Sequence, residues 1–239
     1  MNRPANGPTV RVDRPTVLRN LEEIRDRIAG AAARAGRDAA DVRLVAIGKT
    51  VPEEVLGWAI EAGVHDIGEN YVKELAGKRE RLGDVRWHYV GALQSHTVHL
   101  VAASSDVVHT LAPGHAVERL SRRADALGRR LPGLVQVDFT GARTGVGPEE
   151  AASFVDEVAE LPGIELSGLM TLPPIPERAE DARPYFARLR KLRDELRTRH
   201  DGLTELSMGM SLDYEVAVEE GATMVRVGTA LFGERALSM

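Results

Sequence analysis

Lys49 follows a short apolar run, RLVAIGK at 43–49, and stands directly before Thr50, Val51 and Pro52. A lysine whose stem is held behind by Val45 and Ile47 is partly stripped of water. Burial disfavours the ammonium, and the neutral amine can attack an aldehyde to form a Schiff base. By position alone, the same side chain could equally lay its stem on apolar surface and leave its charge in solvent. Near the other end, Ser207-Met208-Gly209-Met210 and Arg226-Val227-Gly228-Thr229 offer a second chemistry. Glycine lets backbone N–H groups approach a phosphate closely, and Ser207 and Thr229 add hydroxyl donors. Either glycine taken singly could merely allow a tight turn. Arg226 lies inside the apolar run Met224-Val225-Arg226-Val227, where a guanidinium needs partners: a bound anion, Glu215, Glu219 or backbone carbonyls. A cation beside Lys49 would further favour the neutral amine, so the two are consistent with aldehyde capture in one pocket.

These residues act together only if the fold brings them to one place. Residues 18–36, LRNLEEIRDRIAGAAARAG, repeat apolar side chains at helical spacing, with Leu18, Leu21, Ile24 and Ile28 on one face of a helix that starts at Thr16. Eight β-type runs follow, at 43–49, 65–69, 87–93, 106–111, 134–139, 166–172, 205–210 and 224–230. Helix-like segments separate them, most clearly at 148–160, 177–199 and 212–220. Alternating strands and helices imply parallel strands. Eight such units fit a single-domain (β/α)8 barrel better than a doubly wound sheet, whose glycine-rich first turn is missing after 43–49. The barrel is expected over 15–239, preceded by a flexible arm at 1–14. Reactive groups in such a barrel come from the C-terminal strand ends and the loops beyond them, and the loops after strands seven and eight are its recurrent phosphate site. Lys49 and both glycine-containing segments would therefore share one mouth.

Composition narrows the partners. The 239 residues include no cysteine, which excludes disulfides, thiolate metal sites and a cysteine nucleophile and suits a reducing cytoplasm. A net charge of −5 offers no general attraction to nucleic acid or anionic lipid, and no apolar run is long enough to span a bilayer. His96 and His99, three apart on a helix, read as a solvated face and no metal is expected.

Taken jointly, VAIGKT at 45–50, GENYVKE at 68–74, WHYVGALQS at 87–95, SGLMTL at 167–172, LSMGMSLDYEVAV at 206–218 and VRVGTALFG at 225–233 carry a close resemblance. The chain resembles the YggS/PROSC family, the pyridoxal 5′-phosphate (PLP) homeostasis proteins. That resemblance implies an α/β single-domain (β/α)8 barrel like the N-terminal domain of alanine racemase, with PLP held on Lys49 as an internal aldimine. It further implies that Ser207, the Met208 and Gly209 backbone, Gly228 and Thr229 hold the phosphate, that Arg226 faces the pyridine nitrogen, and that Asn70 and Met170 line the ring. His88 is expected to be structural. The implied role is to store, buffer or deliver PLP without evident turnover, with PLP-dependent apo-enzymes as transient clients.

The chain departs from the family pattern at Val51, Ala92, His96, Thr97 and Gly48, expected to be mostly rim changes that leave a second, lysine-based PLP site in doubt. The alternative activity is amino-acid racemisation, which needs an acid and a base on opposite faces of the bound substrate. Tyr71, Tyr89, Tyr185 and Tyr214, mostly in helix-like segments, are poor candidates for the opposing acid, and the second domain that supplies it in alanine racemases is not expected. A Schiff-base aldolase also uses a barrel lysine, but lysine on strand one with arginine on strand eight suits a pyridine ring better than a linear sugar phosphate.

Overall fold

A computed structural model of the chain describes residues 12–83 and 85–233. Eight parallel strands close into a barrel in chain order: β1 (Arg43–Ile47), β2 (Asp66–Glu69), β3 (Arg86–Tyr89), β4 (Val107–Leu111), β5 (Leu131–Val137), β6 (Ile164–Thr171), β7 (Glu205–Ser207) and β8 (Met224–Val227). The barrel closes between β8 and β1, with Arg226 opposite Val45 and Val227 opposite Ala46. Around it, among the described residues, lie α1 (Arg14–Arg34), α2 (Glu53–Glu61), α3 (Val72–Leu82), α4 (Val98–Ser104), α5 (His115–Ala126), α6 (Ala151–Ala159), α7 (Arg183–Arg197), α8 (Tyr214–Glu219) and α9 (Thr229–Phe232). No described helix is long and apolar enough to cross a membrane.

Strands covered on both faces need apolar side chains on both, and two apolar sets result. Ala46, Ile67, Trp87, Val108, Val135, Leu169 and Val225 pack outward against the helices. Val45, Ile47, Val107, Leu134, Met170 and Met224 form a separate cluster inside the barrel. The alternation along β8 therefore turns Met224 and Arg226 inward while Val225 and Val227 face the helices.

Element boundaries differ from the expected ones for local reasons. Helix α1 begins at Arg14 rather than Thr16, because the Asp13 side chain accepts from the Thr16 amide (3.0 Å) and Pro15 suits the first turn. Of the expected arm, residues 1–11 lie outside the described residues, and Asp13 and Arg14 belong to the helix start. The buried stripe runs through Val17, Leu21, Ile24 and Ile28, and Leu18 is 37% exposed. The helix expected at 177–199 is divided: a 3₁₀ turn at Ala179–Ala182 precedes α7, with Pro184, which lacks an N–H, in the new first turn.

Candidate functional site

β1 ends at Ile47, so Lys49 lies in the turn beyond the strand. The Val51 amide donates to the Gly48 carbonyl (2.9 Å), closing a β-turn over 48–51. Thr50, its third residue, has φ +61°, a conformation that suits glycine or asparagine and strains a β-branched side chain. Contacts from below hold the turn. Lys78 of α3, 6% exposed, donates from Nζ to the Gly48 carbonyl (2.8 Å), to Glu69 Oε1 (2.7 Å) and to Glu74 Oε2 (3.3 Å), and the Thr50 amide donates to the same Glu74 oxygen (3.1 Å). A Cβ on Gly48 would sit 2.8 Å from Glu69 Oε1 and 3.1 Å from a Leu56 methyl, so a larger residue there would have to push the Glu69 carboxylate aside. Gly48 and Val51 are both buried, which corrects the expectation that changes there belong to the rim.

Beside this turn, the loops after β7 and β8 converge. Ser211 Oγ accepts from the backbone amides of Gly228 (3.3 Å) and Ala230 (3.2 Å), which gathers a hydroxyl and two amides on the partly open rim, next to the exposed Thr229. Gly209 shapes the first loop: its φ is +90° and a Cβ there would meet that of Ala217 at 2.5 Å. A serine hydroxyl fixed in this way keeps its proton to donate beside Thr229, which suits an anion.

Under the cradle a polar chain crosses the barrel interior, which is usually packed with branched apolar side chains. Arg226 donates from Nη1 to Ser207 Oγ (2.5 Å) and from Nη2 to the Thr171 carbonyl (3.0 Å). Ser207 Oγ is 2.8 Å from His109 Nδ1, His109 Nε2 is 2.8 Å from His88 Nδ1, and His88 Nε2 is 2.8 Å from Asp66 Oδ1 at the far end of the barrel. Since a carboxylate only accepts, His88 must donate from Nε2 to Asp66 and accept at Nδ1. His109 then donates to His88 and accepts from the Ser207 hydroxyl. Every donor points from Arg226 toward Asp66. Burial lowers the basicity of both histidines, and for His109 the charges of Arg226 and Arg43 act in the same sense, so both are neutral at physiological pH. For Asp66 burial works upward, but the hydrogen bond from His88 and the charges of Arg86 and Arg43 hold its carboxyl below the usual range. Burial pushes Arg226 down to about 10, which leaves it a cation at neutral pH.

Residues 18–236 match the alanine racemase N-terminal domain family. A pyridoxal phosphate homeostasis protein of Aquifex aeolicus is 41% identical over 220 residues, 90% of this chain and 96% of that protein. The chain belongs to that family. PipY of Synechococcus elongatus PCC7942, solved with PLP bound, is similar at 32% identity and a TM-score of 0.80, over 91% of this chain and 100% of PipY. An alanine racemase of Clostridium difficile 630, at 16% identity and a TM-score of 0.72, shares the fold, and this chain spans 57% of that enzyme.

In this member of the pyridoxal phosphate homeostasis family, Lys49, Asn70 and Gly228 lie on the loops after β1, β2 and β8, and Thr229 opens α9. Met170 and Arg226 lie just below, inside the barrel. Ser207 differs from expectation: it is fully buried with its hydroxyl committed to His109, so it supports Arg226 and cannot serve the rim. The Met208 amide is likewise spent, on the Met224 carbonyl. Ser211 takes the rim position, four residues later in the same motif, where one serine hides the other from a reading without geometry. His88 bonds Asp66 and His109, which makes it a link in the interior chain. Tyr185 and Tyr214 lie on helices, whereas Tyr89 is on β3 with its hydroxyl donating to Ala92, and Tyr71 is exposed ahead of α3. Among the described residues no group of three or more His, Asp or Glu could hold a metal ion.

Glu69 gives the site a measurable pH dependence. Burial outweighs the attraction of Lys78 and raises its carboxyl to about 7. The folded chain therefore binds a proton more readily than the unfolded one, whose glutamate keeps the ordinary value of 4.5. The associated stability is full below that value and is lost as the pH rises through 7, by up to about 3 kcal/mol. Urea midpoints measured from about pH 5 to about pH 8 should fall more steeply for the wild type than for Glu69→Gln. Parallel slopes would show that the carboxyl titrates normally.

Proposed function

We propose that this chain binds PLP at the barrel mouth and holds it through a covalent link to Lys49, serving the intracellular PLP pool without catalytic turnover. One observation carries the reading: the Lys49 turn and the Ser211–Gly228–Ala230 cradle cap adjacent strands, β1 and β8, with a buried cation inward of both. The donor set fits the group, which combines a phosphate, a pyridine nitrogen and an aldehyde. PLP supplies an aldehyde carbon with which a neutral amine forms a C=N bond as one water leaves.

In this arrangement the Ser211 hydroxyl proton and the Thr229 amide and hydroxyl hold the phosphate, the Gly228 and Ala230 amides fix the Ser211 oxygen in place, and Gly209 keeps the loop close. Asn70 and Met170 flank the ring. Arg226, which can only donate, faces the ring nitrogen and keeps it unprotonated, which weakens the electron sink on which most PLP catalysis depends. Ser207 and the histidine chain hold Arg226 in place. Family membership supports a homeostatic role, with release to PLP-dependent apo-enzymes, in a cytoplasm that the cysteine-free composition suits.

The test is to incubate the protein with PLP, reduce with borohydride and map the pyridoxyl group by mass spectrometry. A single adduct on Lys49 is expected, and deuterium should not wash into the α-position of added amino acids. An adduct on another lysine would overturn the site, and rapid α-exchange would overturn the absence of turnover.

A further inference from the structure

The three charged side chains beneath the Lys49 turn have no part in holding the ligand as described so far. Lys78 directs its three ammonium protons at Gly48, Glu69 and Glu74. Glu69 is fully buried, and its Oε2 has no hydrogen-bond partner among the described residues. The cluster grips the backbone on both sides of Lys49: Lys78 takes the Gly48 carbonyl before it, and Glu74 takes the Thr50 amide after it. Lys49 itself lies between those two points, and the chain leaves the second of them through a threonine at φ +61°, so the turn is held in a conformation its own residues disfavour. Burying an ammonium and a carboxylate is weak evidence for stability, because an apolar pair of similar volume often serves as well. The arrangement is better explained by what it fixes.

We propose that Lys78, Glu69 and Glu74 are positioning residues that orient Lys49 for covalent capture of an aldehyde ligand. The proposal rests on the reading of Lys49 as the attachment point. The step served is addition of the Lys49 nitrogen to the aldehyde carbon, with a C=N bond formed and one water released. Misplacing an attacking group by about an ångström is enough to slow such a step by one to two orders of magnitude.

Two probes separate positioning from binding. PLP carries the aldehyde, whereas pyridoxine 5′-phosphate has the same ring and phosphate with an alcohol in its place and cannot form the link. In Lys78→Met and Glu74→Gln, the rate at which the yellow, borohydride-reducible adduct appears should fall about tenfold or more. The affinity for pyridoxine 5′-phosphate, measured by calorimetry, should change less than about twofold, since the bonds of Lys78, Glu69 and Glu74 go to the Lys49 turn and to one another and not to the loops after β7 and β8. Lys78→Met strands a buried carboxylate and could unfold the protein, so the double variant Glu69→Gln/Lys78→Met, which removes both charges, supplies the folded control. It should melt close to the wild type and still capture PLP slowly.

Wild-type capture by the folded double variant and by Glu74→Gln would overturn the proposal. Equal losses for both probes would also overturn it, by showing general damage to the pocket. A wild-type protein that binds pyridoxine 5′-phosphate yet never links PLP would instead overturn the attachment reading, and this one with it.

Discussion

Arg226→Met should leave the ligand-free protein about as stable as the wild type while weakening its hold on PLP by about tenfold to hundredfold. The stability half follows from burial. The guanidinium is 5% exposed, and loss of hydration brings its pKa down to about 10, with the charge of Asp213 only partly opposing the shift. A base with a lowered folded pKa costs stability at every pH below that pKa, so the whole penalty, about 3 kcal/mol, is present at neutral pH. Methionine fills similar volume without charge. Against this stands the loss of two hydrogen bonds from a charged donor to the buried Ser207 and the Thr171 carbonyl, at about 1.5–3 kcal/mol each, so the two effects largely cancel. The binding half follows from the ring nitrogen losing a charged donor, at about 1.5–3 kcal/mol. Thermal melts and PLP titrations on one preparation measure both. A destabilised variant that binds PLP normally would show Arg226 to be a structural residue.

The same arginine shows how far the sequence could be read. A guanidinium within Met224-Val225-Arg226-Val227 stands out against its neighbours, and the need for partners follows from elementary electrostatics. Of the expected partners it took a backbone carbonyl, that of Thr171, while Glu215 and Glu219 pair with Arg27, Arg34 and Arg183; the chain through Ser207, His109, His88 and Asp66 was not legible, because these come from four other strands and meet only when the barrel closes. The barrel itself was legible, since all eight β-type runs became strands. Their ends were not. Met208 and Gly209 are as buried as the residues of β7, so the apolar run at 205–210 continues past the strand into the mouth loop. For the same reason Ser207 resembled a rim residue and Ser211 escaped notice. The Lys78 cluster was invisible for a different reason. GENYVKE was distinctive as a motif, but its two carboxylates gain their meaning from the Gly48 carbonyl and the Thr50 amide, backbone groups that carry no trace in the sequence.

Filling the cradle should abolish the preference for a phosphorylated ligand. Gly228 offers its amide to Ser211, and a Cβ there would stand 3.3 Å from the Cβ of Ile47, tighter than ordinary contact, on a backbone at φ −121° and ψ −76° that lies outside the usual helical and extended regions. In Gly228→Val the branched side chain therefore strains the turn, and its two methyl groups compete for the space in which the loops after β7 and β8 converge. Three or four donors to a phosphate, at about 1.5–3 kcal/mol for each charge-assisted bond, make the wild type prefer PLP over pyridoxal by at least about a hundredfold. Gly228→Val should reduce that preference to within about threefold, and Ser211→Ala, which removes one donor, by about tenfold. Pyridoxal is the internal control, because it lacks the phosphate and still carries the aldehyde. Its borohydride-trapped adduct on Lys49 should form in Gly228→Val at close to the wild-type rate if the damage is confined to the cradle. Ile47 lies two residues before Lys49, so a strand displaced by the new side chain would reveal itself as a parallel loss with pyridoxal. A Gly228→Val protein that still favours PLP a hundredfold would move the phosphate site away from the loops after β7 and β8, and the functional assignment of the cradle would fall with it.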